Sequence, residues 1–252
     1  MSGYCIEEER AKGTVREEGN REESCVLADE ARIAAAETVF GGAREVAVTQ
    51  ELLEWELDLI ERICGHTRFH DVTVFTLVGG CMALVRKPSD PPGAFWAPTG
   101  GVEQGEELAD AVIRETWEET GLHVEPERYL LRMRALFTCG RRRRPWTSHV
   151  FLARHVSGEL RPIDTHEIEA ASWVGKERFR DEIVPLLLAA GWGRFCYRLC
   201  ISRLLYGELG WGELSLPPIL GGQQRREYRG ADLVSGGHAA LVVETELDAG
   251  QP

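Results

Sequence analysis

The chain reads as an α/β protein, a mixed sheet flanked by helices, with a helical N-terminal extension and a C-terminal tail. Three observations predict that class. Two β-branched, aromatic and aliphatic runs, Asp71 to Val78 and Cys81 to Lys87, flank Gly79 and Gly80, as the arms of a hairpin do. Next comes a segment from about Glu106 to Thr120, with Leu108, Ala109, Val112 and Ile113 at helical spacing and Gly121 as a left-handed stop. Further strand-like runs follow it, and two helical patterns end the series.

The elements come in this order. Residues 1 to about 26 are polar and acidic with few large apolar groups, and are expected to be disordered or loosely helical. Leu27 to Thr38 is alanine-rich, a short helix stopped by Gly41 and Gly42. Thr49 to Cys64 carries Leu52, Leu53, Trp55, Leu57, Leu59, Ile60 and Ile63. It is expected to be an amphipathic helix capped by Thr49 and ended by Gly65. After the hairpin, Pro88 to Gly93 is a loop and Phe95 to Ala97 a short strand. Tyr129 to Cys139 and His149 to His155 are the next strands, joined by Gly140, four arginines and Pro145, and Ala171 to Val174 is the last. Phe179 to Ala190 is a helix that Pro185 must kink or break. Gly193 to Leu209 is amphipathic. The tail from Trp211 is rich in Gly and Pro until Ala239 to Thr245, which can add one strand. The expected division is an acidic extension over 1–48, the folded domain over 49–210 and a tail over 211–252.

Composition narrows the functional classes. A 252-residue chain with 43% hydrophobic residues buries a sizeable core. Its net charge of −12 argues against general attraction to nucleic acid or an anionic membrane. The seven cysteines are scattered without a Cys-x-x-Cys pair, which favours reduced thiols in a cytoplasmic setting. The start has no apolar run behind basic residues and is not expected to be a secretory signal. No stretch approaches the roughly 20 apolar residues that span a bilayer.

The chemistry concentrates at Gly100 to Leu122. Glu115, Glu118 and Glu119 stand at i, i+3 and i+4 on one helix face. Carboxylates so crowded repel one another unless a counter-charge sits among them, and a hard divalent cation is the usual one. Such a cluster points to phosphate chemistry. The spacing of Gly100, Glu106, Arg114, Glu115, Glu118, Glu119, Gly121 and Leu122 resembles the Nudix box, the signature of the Nudix hydrolase family. Thr116 stands where an aliphatic residue is more common, and Thr99 precedes Gly100 and Gly101 in place of a small residue.

The resemblance covers roughly Phe69 to Leu209 and implies a Nudix-type α/β/α sandwich. It implies metal-dependent hydrolysis of a diphosphate bond in a nucleoside diphosphate-linked compound or nucleoside triphosphate, by water attack on phosphorus. By position, Glu115, Glu118 and Glu119 would hold Mg2+ or Mn2+ with a backbone carbonyl of Gly100. Arg114 would orient the glutamates, and Glu106 would pair with Arg114 or serve as a first-turn residue favoured by the helix dipole. The general base varies in the family. Glu167 is preferred here over Glu169 and His166, the alternative being an ordinary solvated loop carboxylate.

Arg141, Arg142, Arg143 and Arg144 form either a phosphate-recognising loop or a charged hairpin tip. Trp96 and Trp146 either stack on a base or pack in the core. Residues 136–138 hold neither a proline nor a tyrosine of the kind that marks some substrate classes, leaving a generic small-molecule nucleotide. Homodimers are common in the family, and residues 49–64 can serve an interface or cover the sheet. Two rivals keep the fold and change the activity. One is a nucleotide-sensing regulatory protein without turnover. The other is an isoprenoid isomerase using Cys81, against which the intact box argues.

Overall fold

The computed structural model describes residues 30–65 and 68–216, and the backbone of 241–244. Eight strands form one mixed sheet: β1 (Arg44–Glu51), β2 (His70–Val78), β3 (Cys81–Arg86), β4 (Thr99–Gly101), β5 (His123–Cys139), β6 (Arg142–Ser157), β7 (Ala170–Gly175) and β8 (Leu241–Glu244). Their order is β7-β3-β2-β6-β5-β1-β8, with β4 paired to β2. β1 runs parallel to β5 and β2 parallel to β6; the other pairings are antiparallel. The helices are α1 (residues 30–40), α2 (Glu54–Cys64), α3 (Leu108–Thr120), a short α4 (Lys176–Arg178), α5 (Val184–Ala190) and α6 (Gly193–Glu208).

The sheet divides two cores because successive side chains of a strand point to opposite faces. On one face Val72, Val74, Phe151 and Ala153 meet Leu108, Ala111 and Val112 of α3, with Ile33 and Ala36 of α1. On the other, Phe75, Met133 and Val150 meet Leu57 of α2, Leu187 of α5, and Phe195, Leu199 and Leu205 of α6. Each large apolar side chain so buried contributes about 1.5–3 kcal/mol. This is the expected α/β/α sandwich.

Some sequence expectations change. Thr49 does not cap a helix. It lies in β1, whose Val46 and Val48 face the core, and α2 begins only after Leu53. The alternation of residues 44–51 supports a strand, and the leucines that follow mask it. The boundary at residue 49 therefore cuts β1, and α1 also belongs to the fold, with Phe40 edge-on to Phe151 at 5.9 Å. Phe95 to Ala97 supplies only an isolated bridge between Trp96 and Val85; the paired strand β4 lies two residues on, at Thr99–Gly101. Three of the four arginines lie inside β6, so the β5–β6 tip is just Gly140 and Arg141. The kink expected at Pro185 takes the form of a π turn, Phe179–Ile183, ahead of α5. In the tail, β8 pairs antiparallel with β1. The expectation for residues 1 to 26 lies outside the described residues.

One buried carboxylate locks the second face. Glu56 of α2 accepts the amides of Gly193 and Arg194 at 3.0 Å each, capping α6 from another helix, and the amide of Leu53 at 2.9 Å, capping its own. An anion here also opposes the α6 dipole. Replacing Glu56 with Ala leaves those donors without an acceptor and should cost about 2–4 kcal/mol. Chemical denaturation checks this: an unchanged midpoint would show that the shared cap contributes nothing.

Candidate active site

The acidic helix α3 lies on the sheet with its last turn against β4 and the loop before β7. Gly121 ends it in the left-handed conformation (φ 71°, ψ 5°), its amide closing on Trp117 O at 2.8 Å. That turn brings in residues 158–169. The amides of Ile163 and Asp164 donate to Glu118 O at 3.0 and 2.9 Å, and Asp164 Oδ1 accepts from the amides of His166 and Glu167. Ile168 is fully buried and anchors the loop.

Glu115 and Glu119 point inward. A Cβ at Gly100 would lie 1.8 Å from the Glu115 carboxyl, so only glycine leaves room for that carboxylate. Glu119 is 2% exposed; its Oε2 accepts the Thr99 amide at 2.8 Å and its Oε1 has no partner among the described residues. Burial first, then the Glu115 and Glu167 carboxylates, push the Glu119 pKa up to about 8 against the pull of Lys87. Burial also raises that of Glu115, against Arg114. Glu118 lies at the rim, its side chain 40% exposed.

Arg114 holds the group together. It forks onto Glu106 with two 2.8 Å bonds, reaches Glu115 at 2.6 Å and Glu118 at 3.4 Å, and donates to Gly101 O at 3.0 Å. Its bonds to Glu106 raise its pKa further despite burial, so it is always charged. Burial opposes ionisation of Glu106, yet Arg114 and the Glu103 amide outweigh it and hold that carboxyl below the usual range.

The structure brings Glu167 to this cluster, where it pairs with Lys87. Glu169 pairs with Arg86 at 2.9 Å, and His166 is exposed. Trp96 is not free to stack on a base. It is 2% exposed, its Nε1 donates to Asp90 Oδ2 at 2.7 Å, and the guanidinium of Arg198 lies 3.6 Å from its ring centroid. Trp146 is likewise buried, beside Phe137. The arginine run splits. Arg142 is engaged by Asp58 and Glu61 of α2 at 2.7 and 2.6 Å, and Arg143 donates to Gly140 O and Arg142 O. Arg144 is buried, bonded to Gly65 O and Arg68 O at 2.7 Å each. Arg141 is exposed at the tip. Sequence reasoning missed Lys87 and Arg198. The one sits in an ordinary strand-end Arg-Lys-Pro, and the other is one of several arginines along α6.

Among the described residues no three His, Cys, Asp or Glu side chains are already spaced as a closed metal cage. The donor set nevertheless fits a hard cation. Glu119 offers an orphaned carboxylate oxygen, Glu115 rests on bare glycine backbone and Glu118 stands at the rim, all of them oxygen donors. Arg114 supplies the counter-charge meanwhile.

An acidic helix entered through a double glycine, set on one face of a mixed sheet, defines a Nudix-type domain. The family model for the NUDIX domain matches residues 68–190, and that stretch of the chain is a NUDIX domain. An NAD-capped RNA hydrolase NudC from Chromobacterium violaceum is 31% identical over 130 residues, 50% of this chain and 46% of that protein. The human 8-oxo-dGDP phosphatase NUDT18 is 36% identical over 83 residues, 32% of this chain and 24% of that protein. A crystal structure of a UDP-X diphosphatase is 20% identical, with a TM-score of 0.41 over 64% of this chain and 73% of that one. The chain thus spans less than half the length of these two curated relatives.

The raised carboxyls predict how stability depends on pH. A folded-state pKa above the ordinary 4.5 means that the Glu119 contribution is full below about 4.5 and is lost as pH rises through about 8. Glu115 acts with the same sign. In a chelator, Tm should fall between pH 5 and 9. Glu119→Gln should flatten that slope, and magnesium should restore stability in the wild type at high pH. A flat profile for the chelated wild type would contradict the burial of an ionisable Glu119.

Proposed function

We propose that this protein hydrolyses a diphosphate bond in a nucleoside diphosphate-linked compound or nucleoside triphosphate, with Mg2+ or Mn2+ as cofactor. The observation that carries this reading is the set of three carboxylates on α3, one of them with a buried unpartnered oxygen, around Gly100. Glu115, Glu118, Glu119 and the Gly100 carbonyl would hold the cation, which when bound neutralises charge on phosphate oxygens and lowers the pKa of water.

The chain's own residues supply the rest. Arg114 keeps the carboxylates apart and aimed, and can turn wholly to Glu106 and Gly101 O once another cation takes over Glu115 and Glu118. Glu119 is fixed by the Thr99 amide, so its free oxygen has one direction. Glu167, exposed and paired with Lys87, would take a proton from the attacking water. Lys87 can release Glu167 toward water as phosphate draws Lys87 away.

The names of the relatives widen the substrates worth testing. General attraction to nucleic acid remains opposed by the net charge of −12, yet an NAD cap on RNA offers the same diphosphate as a free dinucleotide. A reducing cytoplasmic setting fits the free thiols of Cys64, Cys81, Cys139 and Cys200. Among the described residues no helix is long and apolar enough to cross a membrane.

The test is a hydrolysis panel in Mg2+ and Mn2+ at mildly alkaline pH, with the nucleotide products separated by chromatography. It holds nucleoside triphosphates, oxidised nucleotides, ADP-ribose, NAD, nucleotide sugars, dinucleoside polyphosphates and NAD-capped RNA. Glu118→Gln should reduce turnover at least about 100-fold, the loss expected when a metal site is damaged. Glu167→Gln should lower kcat by roughly 10²- to 10⁴-fold with KM little changed. Nucleotide binding without turnover of any compound would replace this reading with a sensor.

A further inference from the structure

α6 presents Arg194 and Arg198, one turn apart, to the loop between β3 and β4. Arg194 is committed: its Nη2 donates to Asp90 Oδ1 at 2.7 Å, and its guanidinium lies 4.7 Å from the Trp192 ring centroid. Arg198 differs. It stacks 3.6 Å from the centroid of Trp96, yet among the described residues its side chain makes no hydrogen bond and no ion pair. Asp71, Asp90 and Glu119 all bear on it electrostatically from beyond ion-pair distance. The side chain is only partly exposed, and burial draws its pKa down to about 10, as for a cation with too little anion around it.

The surroundings are built to hold that guanidinium still. Trp96 is fixed by its bond to Asp90, and Asp90 is fixed by the Lys87 amide at 2.9 Å. Lys87 lies 5.5 Å from the same ring centroid, so one indole carries two cations. Both cations act on Glu119. Lys87 already has Glu167 as a partner; Arg198 has a small cavity, lined also by Thr73, Phe75, Ala97, Ile201 and Ser202. Thr73 pairs across β2 and β4 with Thr99, whose amide holds Glu119. A guanidinium held on an indole face, with no protein acceptor among the described residues, keeps its N–H fork open to an incoming anion. The acceptor that its shape matches is a phosphate or carboxylate.

We propose that Arg198, stacked on Trp96, binds phosphate oxygens of the substrate beside the acidic cluster, making it a substrate-binding residue of the proposed hydrolase. This rests on the reading that the substrate carries a diphosphate. Arg198 would reach the anion from α6 and the cation-holding carboxylates would reach it from α3, Glu119 being the carboxylate that already acts on Arg198. The alternative is a purely structural role, Arg198 as the distant counter-charge of buried Asp71.

The experiment is calorimetric titration of imidodiphosphate, which resists hydrolysis, into the full chain with Mg2+, for wild type, Arg198→Met and Arg198→Lys, with Tm measured alongside. A lost pair of charge-assisted bonds should weaken binding at least about tenfold in Arg198→Met. Arg198→Lys keeps the charge and the stem but not the fork, and should fall between. No binding to the wild type, or wild-type affinity in Arg198→Met, overturns the proposal. A structural counter-charge would lower Tm and leave Kd alone. Should Arg198→Met fold poorly, Arg198→Lys decides: weaker binding supports the proposal and wild-type affinity overturns it. If the nucleotide panel is turned over while both variants bind imidodiphosphate normally, only this assignment falls. If nothing is turned over and binding still needs Arg198, the hydrolase reading falls and this one stands.

Discussion

Arg114 is the interaction on which the site depends. Two carboxylates about 4 Å apart repel by about 4 kcal/mol at an effective dielectric near 20, and α3 places three on one face. A single guanidinium meets Glu106, Glu115 and Glu118, and its remaining donor reaches the Gly101 carbonyl. It therefore ties the helix to the glycine turn before it and offsets the repulsion at one point. A lysine could neutralise the charge but not hold four acceptors in one plane. Because Glu106 takes the fork with both oxygens, the bonds to Glu115 and Glu118 are the ones free to be exchanged.

The sheet gives that local arrangement two walls, α3 packed on one face and α6 on the other. β2 sends Val72 and Val74 toward α3, and Thr73 and Phe75 toward α6. The short strand β4 crosses between the walls: the Thr99 amide serves Glu119, while its hydroxyl lies 3.2 Å from that of Thr73. The second wall is then braced by buried anions. Glu56 holds the start of α6, and Asp90 holds Trp96, Arg194 and the Lys87 amide. Ordered backbone on one side and paired charges on the other leave little freedom to the residues that face the cluster.

How far this was legible depends on the range of each interaction. The α3 face, the β2–β3 hairpin and the stop at Gly121 are local patterns, written within a few residues of each other, and they read correctly. β1 was missed because its evidence is a weak alternation followed at once by a leucine-rich helix, and only its partner β5 tells the two apart. The arginine run looked like a loop because four adjacent charges suggest solvent. In fact the strand pleat sends Arg142 to α2 and Arg144 inward, and each finds acceptors distant in sequence. Trp96 could be singled out but not oriented, since the cation on its face comes from a helix about a hundred residues later. Pairings such as Lys87 with Glu167 exist only once the sheet closes.

The parallel pairing of β1 with β5 has a consequence for how the chain is made. Arg44 stands opposite Leu131 and Glu51 opposite Thr138, and the other neighbour of β1, β8, comes later still. Among the described strands, therefore, nothing synthesised before β5 can satisfy the hydrogen bonds of β1. Until β5 emerges, Val46 and Val48 lack the sheet that buries them, and closing so long a loop is entropically slow. During translation, the first strand of this sheet has to wait for a partner that follows the entire acidic helix.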